Sequence, residues 1–132
     1  MNGEELLKLA EKARENAYSP YSNYMVGAAL LCKNGKVYMG CNVENSSYGA
    51  TVCAERNAIF AAVCHGDKDF EAIAIVGGYK DGSISSPCYP CGMCRQVMSE
   101  FCKKDFNVYL KNGEDMISVT LDRLLPSAFE LN

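Results

Sequence analysis

The run CAERNAIFAAVCHGDKDFEAIAIV, residues 53–76, decides the class of fold. Its first part, Cys53–Cys64, reads as a helix that Gly66 stops, because glycine enters left-handed backbone at little cost just past a helix end. Its last part, Phe70–Val76, is a short and continuously apolar stretch. Such a strand suits burial on both faces, as in a parallel or mixed sheet. Strands that alternate with helices in this way favour a sheet covered by helices on both sides.

The alternation continues on either side of that run. Downstream, Gly77 to Pro90 is a loop rich in Gly, Ser and Pro, and Cys91–Cys102 reads as a second helix. Phe106–Leu110 is a strand, and Asn112-Gly113 turns the chain into another, Met116–Val119. Thr120 is placed to cap a short final helix that ends before Pro126. Upstream, Tyr24–Leu31 and Lys36–Val43 are β-rich, and Lys33-Asn34-Gly35 joins them in a hairpin. A polar loop with Asn45, Ser46, Ser47 and Gly49 comes next. Leu6, Leu9, Ala10, Ala13 and Ala17 recur at helical spacing, which predicts an amphipathic helix over residues 3–17, broken by Pro20. The expectation is an α/β fold in one domain, residues 1–132: a three-layer α/β/α sandwich with a mixed five-stranded sheet.

Composition narrows the function. With 132 residues, 48% hydrophobic and 22% charged, the chain is globular and sized for one core. No apolar run approaches the roughly 20 residues of a membrane span. The opening segment MNGEELLKLAEKARENAYSP is charged throughout and lacks a secretory h-region, so a cytoplasmic address and no membrane partner are expected. The net charge is −3, and Lys8, Lys12, Arg14, Lys103 and Lys104 are dispersed or paired with acids. That excludes a grip on nucleic acid, which needs clustered bases.

The chain has eight cysteines and a single histidine, His65. In a reducing compartment, clustered cysteines serve metals or redox chemistry more than disulfides. His65 beside Gly66 reads as a surface imidazole, so a metal site must be built mainly from thiolates. Cys32, Cys41, Cys64, Cys88 and Cys102 are scattered, and most of them read as packing residues, since free cysteine is commonly buried as a small hydrophobe.

Two segments carry the chemistry: Cys53-Ala54-Glu55-Arg56, and Pro90-Cys91-Gly92-Met93-Cys94-Arg95-Gln96. Each opens a predicted helix directly after a loop. Cys91 and Cys94, three apart, lie on one helix face and can share an ion. The partial positive charge of a helix N-terminus favours thiolate. If the two helix starts face each other, Cys53, Cys91 and Cys94 can hold one Zn²⁺, leaving a fourth position for water in the catalytic pattern. Glu55 is offset from the direction of Cys53 and can carry protons beside the open position. Arg56 is expected to hydrogen-bond the ligand sulfurs and offset the net charge of −1 that three thiolates leave on zinc; the other reading is an ordinary helix-surface arginine. Asn42 and Glu44 alternate along a strand end and can face one side, where an amide and a carboxylate suit sugar hydroxyls; the other reading is a polar pair facing water.

Pro87-Cys88-Tyr89-Pro90-Cys91 also fits PCxxC, so Cys88 and Cys91 are an alternative ligand pair. Pro90 between them disfavours a regular helical turn there, which favours Cys91 and Cys94. Cys88, Cys91 and Cys94 together also form CxxCxxC, as in some iron–sulfur sites, but that reading leaves Glu55, Asn42 and Glu44 idle. A structural zinc in a non-catalytic binding module is a further alternative.

These residues resemble the small, homotetrameric cytidine deaminases, whose motif H-x-E…P-C-x-x-C has a variant with cysteine in the histidine position, here Cys53. The resemblance extends over Ala17-Tyr18-Ser19-Pro20-Tyr21-Ser22, Val26-Gly27-Ala28-Ala29-Leu30, Gly40-Cys41-Asn42-Val43-Glu44-Asn45 and Leu124-Leu125-Pro126-Ser127-Ala128-Phe129. The continuation Cys-Gly-x-Cys-Arg-Gln matches only at Cys91 and Cys94. The resemblance implies one Zn²⁺ per chain and hydrolytic deamination of cytidine and deoxycytidine to uridine and deoxyuridine, with release of ammonia, in pyrimidine salvage. It implies that Glu55 protonates N3 and the leaving amine, and that Asn42 and Glu44 bind ribose, Glu44 disfavouring a 5′-phosphate. Tyr48 and the backbone of Ala54 are expected to frame the site. Tyr24 stands where the family commonly has Phe against the base, and Phe129 resembles a residue lent to a neighbouring subunit, so a homotetramer with shared active sites is implied. Blasticidin-type deaminases share the metal motif but not the Asn42 and Glu44 pair.

Overall fold

The computed structural model describes residues 1–82, 84 and 86–131. Asn2 opens the first helix, α1 (Gly3–Arg14), with a capping box: its side chain accepts from the Glu5 amide while the Glu5 carboxylate takes the Asn2 amide. The helix stops at Arg14, short of the expected residue 17. Beyond it the backbone is drawn off as extended chain, because Tyr18 donates to the Asn42 carbonyl at 3.0 Å and accepts from the Glu44 amide at 2.8 Å. Helical periodicity through Ala17 is overridden by this pairing.

The remaining elements are β1 (Tyr24–Cys32), β2 (Val37–Cys41), α2 (Ala54–Cys64), β3 (Phe70–Tyr79), α3 (Gly92–Phe101), β4 (Asn107–Asn112), β5 (Asp115–Thr120) and α4 (Leu121–Leu124). The sheet order is β2-β1-β3-β4-β5. Only β3 and β4 run parallel, joined by α3 as the crossover, and every other neighbour is antiparallel. The sheet is therefore mixed and five-stranded, as the order of elements implied.

The alternation of β3 explains the three layers. Ala72, Ala74 and Val76 point to one side and pack with Leu6, Leu7 and Ala10 of α1. Ile73 and Ile75 point to the other and pack with Ala58, Ile59 and Ala62 of α2 and Cys94 and Met98 of α3. A strand buried on both faces has no polar alternate positions, hence its continuous apolar run. β3 also runs on through Gly77, Gly78 and Tyr79, which pair with Val26, Met25 and Tyr24. Glycine lowers strand propensity, but here other groups occupy the space: a Cβ at Gly77 would lie 2.7 Å from Cys88 Sγ.

Helix α2 is seated by a similar absence. A Cβ on Gly40 of β2 would lie 2.5 Å from the Ala54 carbonyl oxygen and 2.6 Å from the Ala58 amide nitrogen. Both are backbone atoms of the first turns of α2, so neither can rotate aside. Gly40→Ala is expected to destabilise the fold by about 3 kcal/mol through overpacking, read as a lower midpoint in urea denaturation. An unchanged midpoint would contradict the close seating. Among the described residues no helix is long and apolar enough to cross a membrane.

Candidate metal and catalytic site

Cys53 is the N-cap of α2 and Cys91 the N-cap of α3, both with extended backbone and neither using its side chain as a cap. Their sulfurs are therefore free to turn towards each other across the two helix starts. Cys94 lies in the first turn of α3 and is wholly buried. Cys53 Sγ is 3.7 Å from Cys91 Sγ, and Cys91 Sγ is 3.4 Å from Cys94 Sγ. All three sulfurs lie within 4.8 Å of one another. Two sulfurs each about 2.3 Å from a tetrahedral zinc stand about 3.8 Å apart, so this donor set fits zinc in both spacing and chemistry. Cys88 is not among the converging sulfurs, which separates it from the ligand pair that sequence spacing alone left open.

Their surroundings shift Cys53 and Cys94 in opposite directions. Cys53 is pushed down to about 5, first by a hydrogen bond from the Cys94 thiol, then by Arg56 and Cys91. Cys94 moves the opposite way, because it gives that hydrogen bond and is buried. A metal replaces such protons, since thiolate is the binding form. Arg56 Nη2 donates to Cys53 Sγ at 3.5 Å, and its Nε is buried with no partner among the described residues. The guanidinium is thus turned inward onto a sulfur and is not a surface arginine.

Asn42 and Glu55 are the buried polar side chains among the described residues. Glu55 is 4% exposed and is raised to about 7, chiefly because burial disfavours its charge and also because of the negative Cys53. A carboxyl near 7 can both take and give a proton at neutral pH.

Asn42 extends the β1 edge after β2 ends: its Oδ1 accepts from the Val26 amide at 2.9 Å and its Nδ2 donates to the Tyr24 carbonyl at 2.8 Å. One N–H and one lone pair of its amide remain unused by these bonds. Glu44 Oε1 accepts from the amides of Tyr21 at 3.0 Å and Ser22 at 3.2 Å. The Ser22 hydroxyl is the main cause that holds its carboxyl below the usual range. A cleft of about 350 Å³ is lined by Tyr21, Ser22, Glu44, Asn45, Tyr48 and Thr51. Tyr48 meets Tyr21 edge-on at 6.1 Å and is 77% exposed. Ala54 is buried at the first turn of α2. Phe129 stands on the segment after α4 and is 70% exposed, away from any packed position.

Tyr24 is held differently from an open aromatic wall. Its ring crosses Tyr79 edge-on at 5.0 Å and lies 3.1 Å from where a Cβ of Gly77 would be. Burial first, then Cys88, pushes its hydroxyl up to about 12. Cys88 itself is pushed up to about 11 by burial and sits over Gly77 beside Tyr24. Cys88 packs over Gly77 and stands outside the sulfur cluster: Cys88→Ser is expected to keep one zinc per chain by metal analysis, and loss of zinc would reassign the ligands.

Sequence reasoning gives little weight to Arg95, because one of its two backbone hydrogen bonds reaches the Leu124 carbonyl, far along the chain. It also leaves the Tyr48–Ala50 3₁₀ turn as plain loop.

The family model for the cytidine and deoxycytidylate deaminase zinc-binding region matches residues 1–110. A cytidine deaminase of Halalkalibacterium halodurans is 51% identical over 130 residues, covering 98% of this chain and 95% of the relative. The crystal structure of a cytidine deaminase from Burkholderia pseudomallei superposes with a TM-score of 0.88 at 48% identity, covering 98% of this chain and 100% of that one. A blasticidin-S deaminase of Bacillus cereus is 34% identical over 131 residues, covering 96% of this chain and 93% of the relative.

Proposed function

Because this chain belongs to the zinc-binding cytidine and deoxycytidylate deaminase family, we propose that it hydrolyses the C4 amine of cytidine and deoxycytidine, giving uridine or deoxyuridine and ammonia. The observation that carries the reading is the convergence of Cys53, Cys91 and Cys94 beside a buried carboxyl, Glu55. Three protein ligands and an adjacent proton carrier are the catalytic arrangement, whereas a structural zinc is closed by a fourth side chain.

Cys53, Cys91 and Cys94 would hold a zinc ion, which would supply Lewis acidity that lowers the pKa of water. The residues of the chain do the rest. Glu55 takes the first proton of the attacking water and delivers it to N3 as the oxygen bonds to C4. It then takes the second proton from the C4 hydroxyl and gives it to the amine as the C4–N bond breaks and the C4 carbonyl forms. Its pKa, raised to about 7 chiefly by burial, lets one group serve both directions near neutral pH. Arg56 offsets part of the negative charge of three thiolates on a divalent ion through its bond to Cys53. Asn42 and Glu44 are the proposed ribose contacts, and Tyr48 and the Ala54 backbone frame the pocket. Tyr24 is the proposed aromatic neighbour of the base. The buried position of Asn42 and the paired amides on Glu44 support this, since both side chains are held in fixed directions and Glu44 lines the cleft with Tyr48. A negative Glu44 at that cleft also favours a nucleoside over a 5′-nucleotide.

A homotetramer with shared active sites, in one domain over residues 1–132, completes the reading. Its support is the exposure of large apolar side chains, among them Tyr18, Tyr48, Phe60, Met93 and Phe129. A place in pyrimidine salvage and a cytoplasmic address belong to the same reading, through the substrate. The runner-up substrate is blasticidin S. Purified protein is expected to carry about one zinc per chain and to convert cytidine to uridine with falling absorbance. Turnover of blasticidin S in preference to cytidine would overturn the assignment.

A further inference from the structure

Arg95 is a charged group of α3 that the reaction leaves unused. Its Nε donates to the Pro90 carbonyl at 2.7 Å and its Nη1 to the Leu124 carbonyl at 2.7 Å. Pro90 is fully buried, and its carbonyl belongs to the peptide that enters Cys91. Leu124 is the last residue of α4, a helix of four residues whose final carbonyls have no partner within it. One planar guanidinium therefore joins two backbone oxygens that regular structure leaves over, a geometry that an ammonium does not reproduce.

The segment beyond Leu124 has few other anchors. The Leu125 amide donates to the Leu121 carbonyl at 2.8 Å. Pro126 then has no N–H to give, and Ser127 turns in the left-handed region at φ 55°. A cavity of about 550 Å³ lies between Leu125, Pro126, Ser127 and Ala128 on one side and Ser99 and Cys102 of the α3 end on the other. Close packing does not press this segment onto α3.

We propose that Arg95 is a positioning residue that clamps the C-terminal segment carrying Phe129 to the peptide entering Cys91. One side chain thereby sets both the loop of the metal ligands and the departure of the tail. The consequence for catalysis rests on the reading of Phe129 as a residue of a neighbouring pocket; the clamp itself does not.

The test uses the full-length, zinc-loaded enzyme with Arg95→Ala and Arg95→Lys. Zinc content should stay at the wild-type level in both. In Arg95→Ala, amide exchange at Leu125, whose amide is bonded to the Leu121 carbonyl, should rise about tenfold while that of Ile73 and Ile75 stays fixed, and KM for cytidine should rise about tenfold with kcat within about threefold. Arg95→Lys should fall between, keeping one carbonyl and losing the other. Unchanged exchange at Leu125 overturns the clamp, whatever the kinetics. Faster exchange with an unchanged KM supports the clamp and removes Phe129 from the substrate's surroundings instead. Should Arg95→Ala fail to fold, the Lys variant carries the test, and exchange equal to wild type overturns the proposal.

Discussion

Glu55→Gln is expected to keep one zinc per chain and lose about 10³–10⁴-fold in kcat, with KM for cytidine little changed. Glutamine preserves the volume and the buried position of a side chain that is 4% exposed, so neither packing nor the sulfur cluster is disturbed. The capacity to accept a proton and release it again disappears. An amide can still donate a hydrogen bond to a ring nitrogen, which is why substrate binding should survive. The size of the loss also separates roles: a carboxylate that only hydrogen-bonded the substrate would cost far less when replaced by its amide. Metal analysis and single-turnover assays on the same preparation check both halves. Near-normal turnover with zinc retained would remove Glu55 from proton transfer.

How much of the site is legible in the sequence depends on the range of each interaction. Cys91 and Cys94 are readable because their relation is local, one helical turn, and periodicity needs no tertiary knowledge. The same holds for the two-sided strand of Ile73 and Ile75. That Cys53 comes within 3.7 Å of Cys91 is a tertiary fact, and spacing alone leaves Cys88 in contention. Glycines are the least readable residues. Gly77 looks like the start of a loop, because propensity cannot know that Cys88 and Tyr24 lie over it and that Val26 pairs with it. The end of α1 is misread for a related reason: apolar periodicity continues to Ala17, but the bridge of Tyr18 to Val43, just beyond β2, wins the backbone. Asn42 and Glu44 read as a one-sided pair, yet their bonds to the Val26 and Tyr21 amides give them a structural duty that spacing does not disclose.

Cys94→Ser is expected to strip zinc and activity together, and it has the largest effect on the metal. Cys94 is wholly buried against the core and is one of three converging sulfurs, with no fourth ligand group in the cluster among the described residues to take its place. Removing an outer group that merely supports a ligand costs about 10–100-fold in metal affinity, and removing the ligand itself must exceed that. Serine nearly keeps the volume, which limits the cavity cost that alanine would add at a site shared with Met98 and Ile59. Its hydroxyl stays protonated at neutral pH and is a poor donor to zinc beside two thiolates. Dialysed protein should therefore hold well under one-tenth of the wild-type zinc, with its far-ultraviolet circular dichroism unchanged. Restoring activity with millimolar zinc would show that the third sulfur contributes affinity alone. Full zinc occupancy in the variant would mean that a different side chain completes the site, and three sulfurs would then no longer imply an open catalytic position.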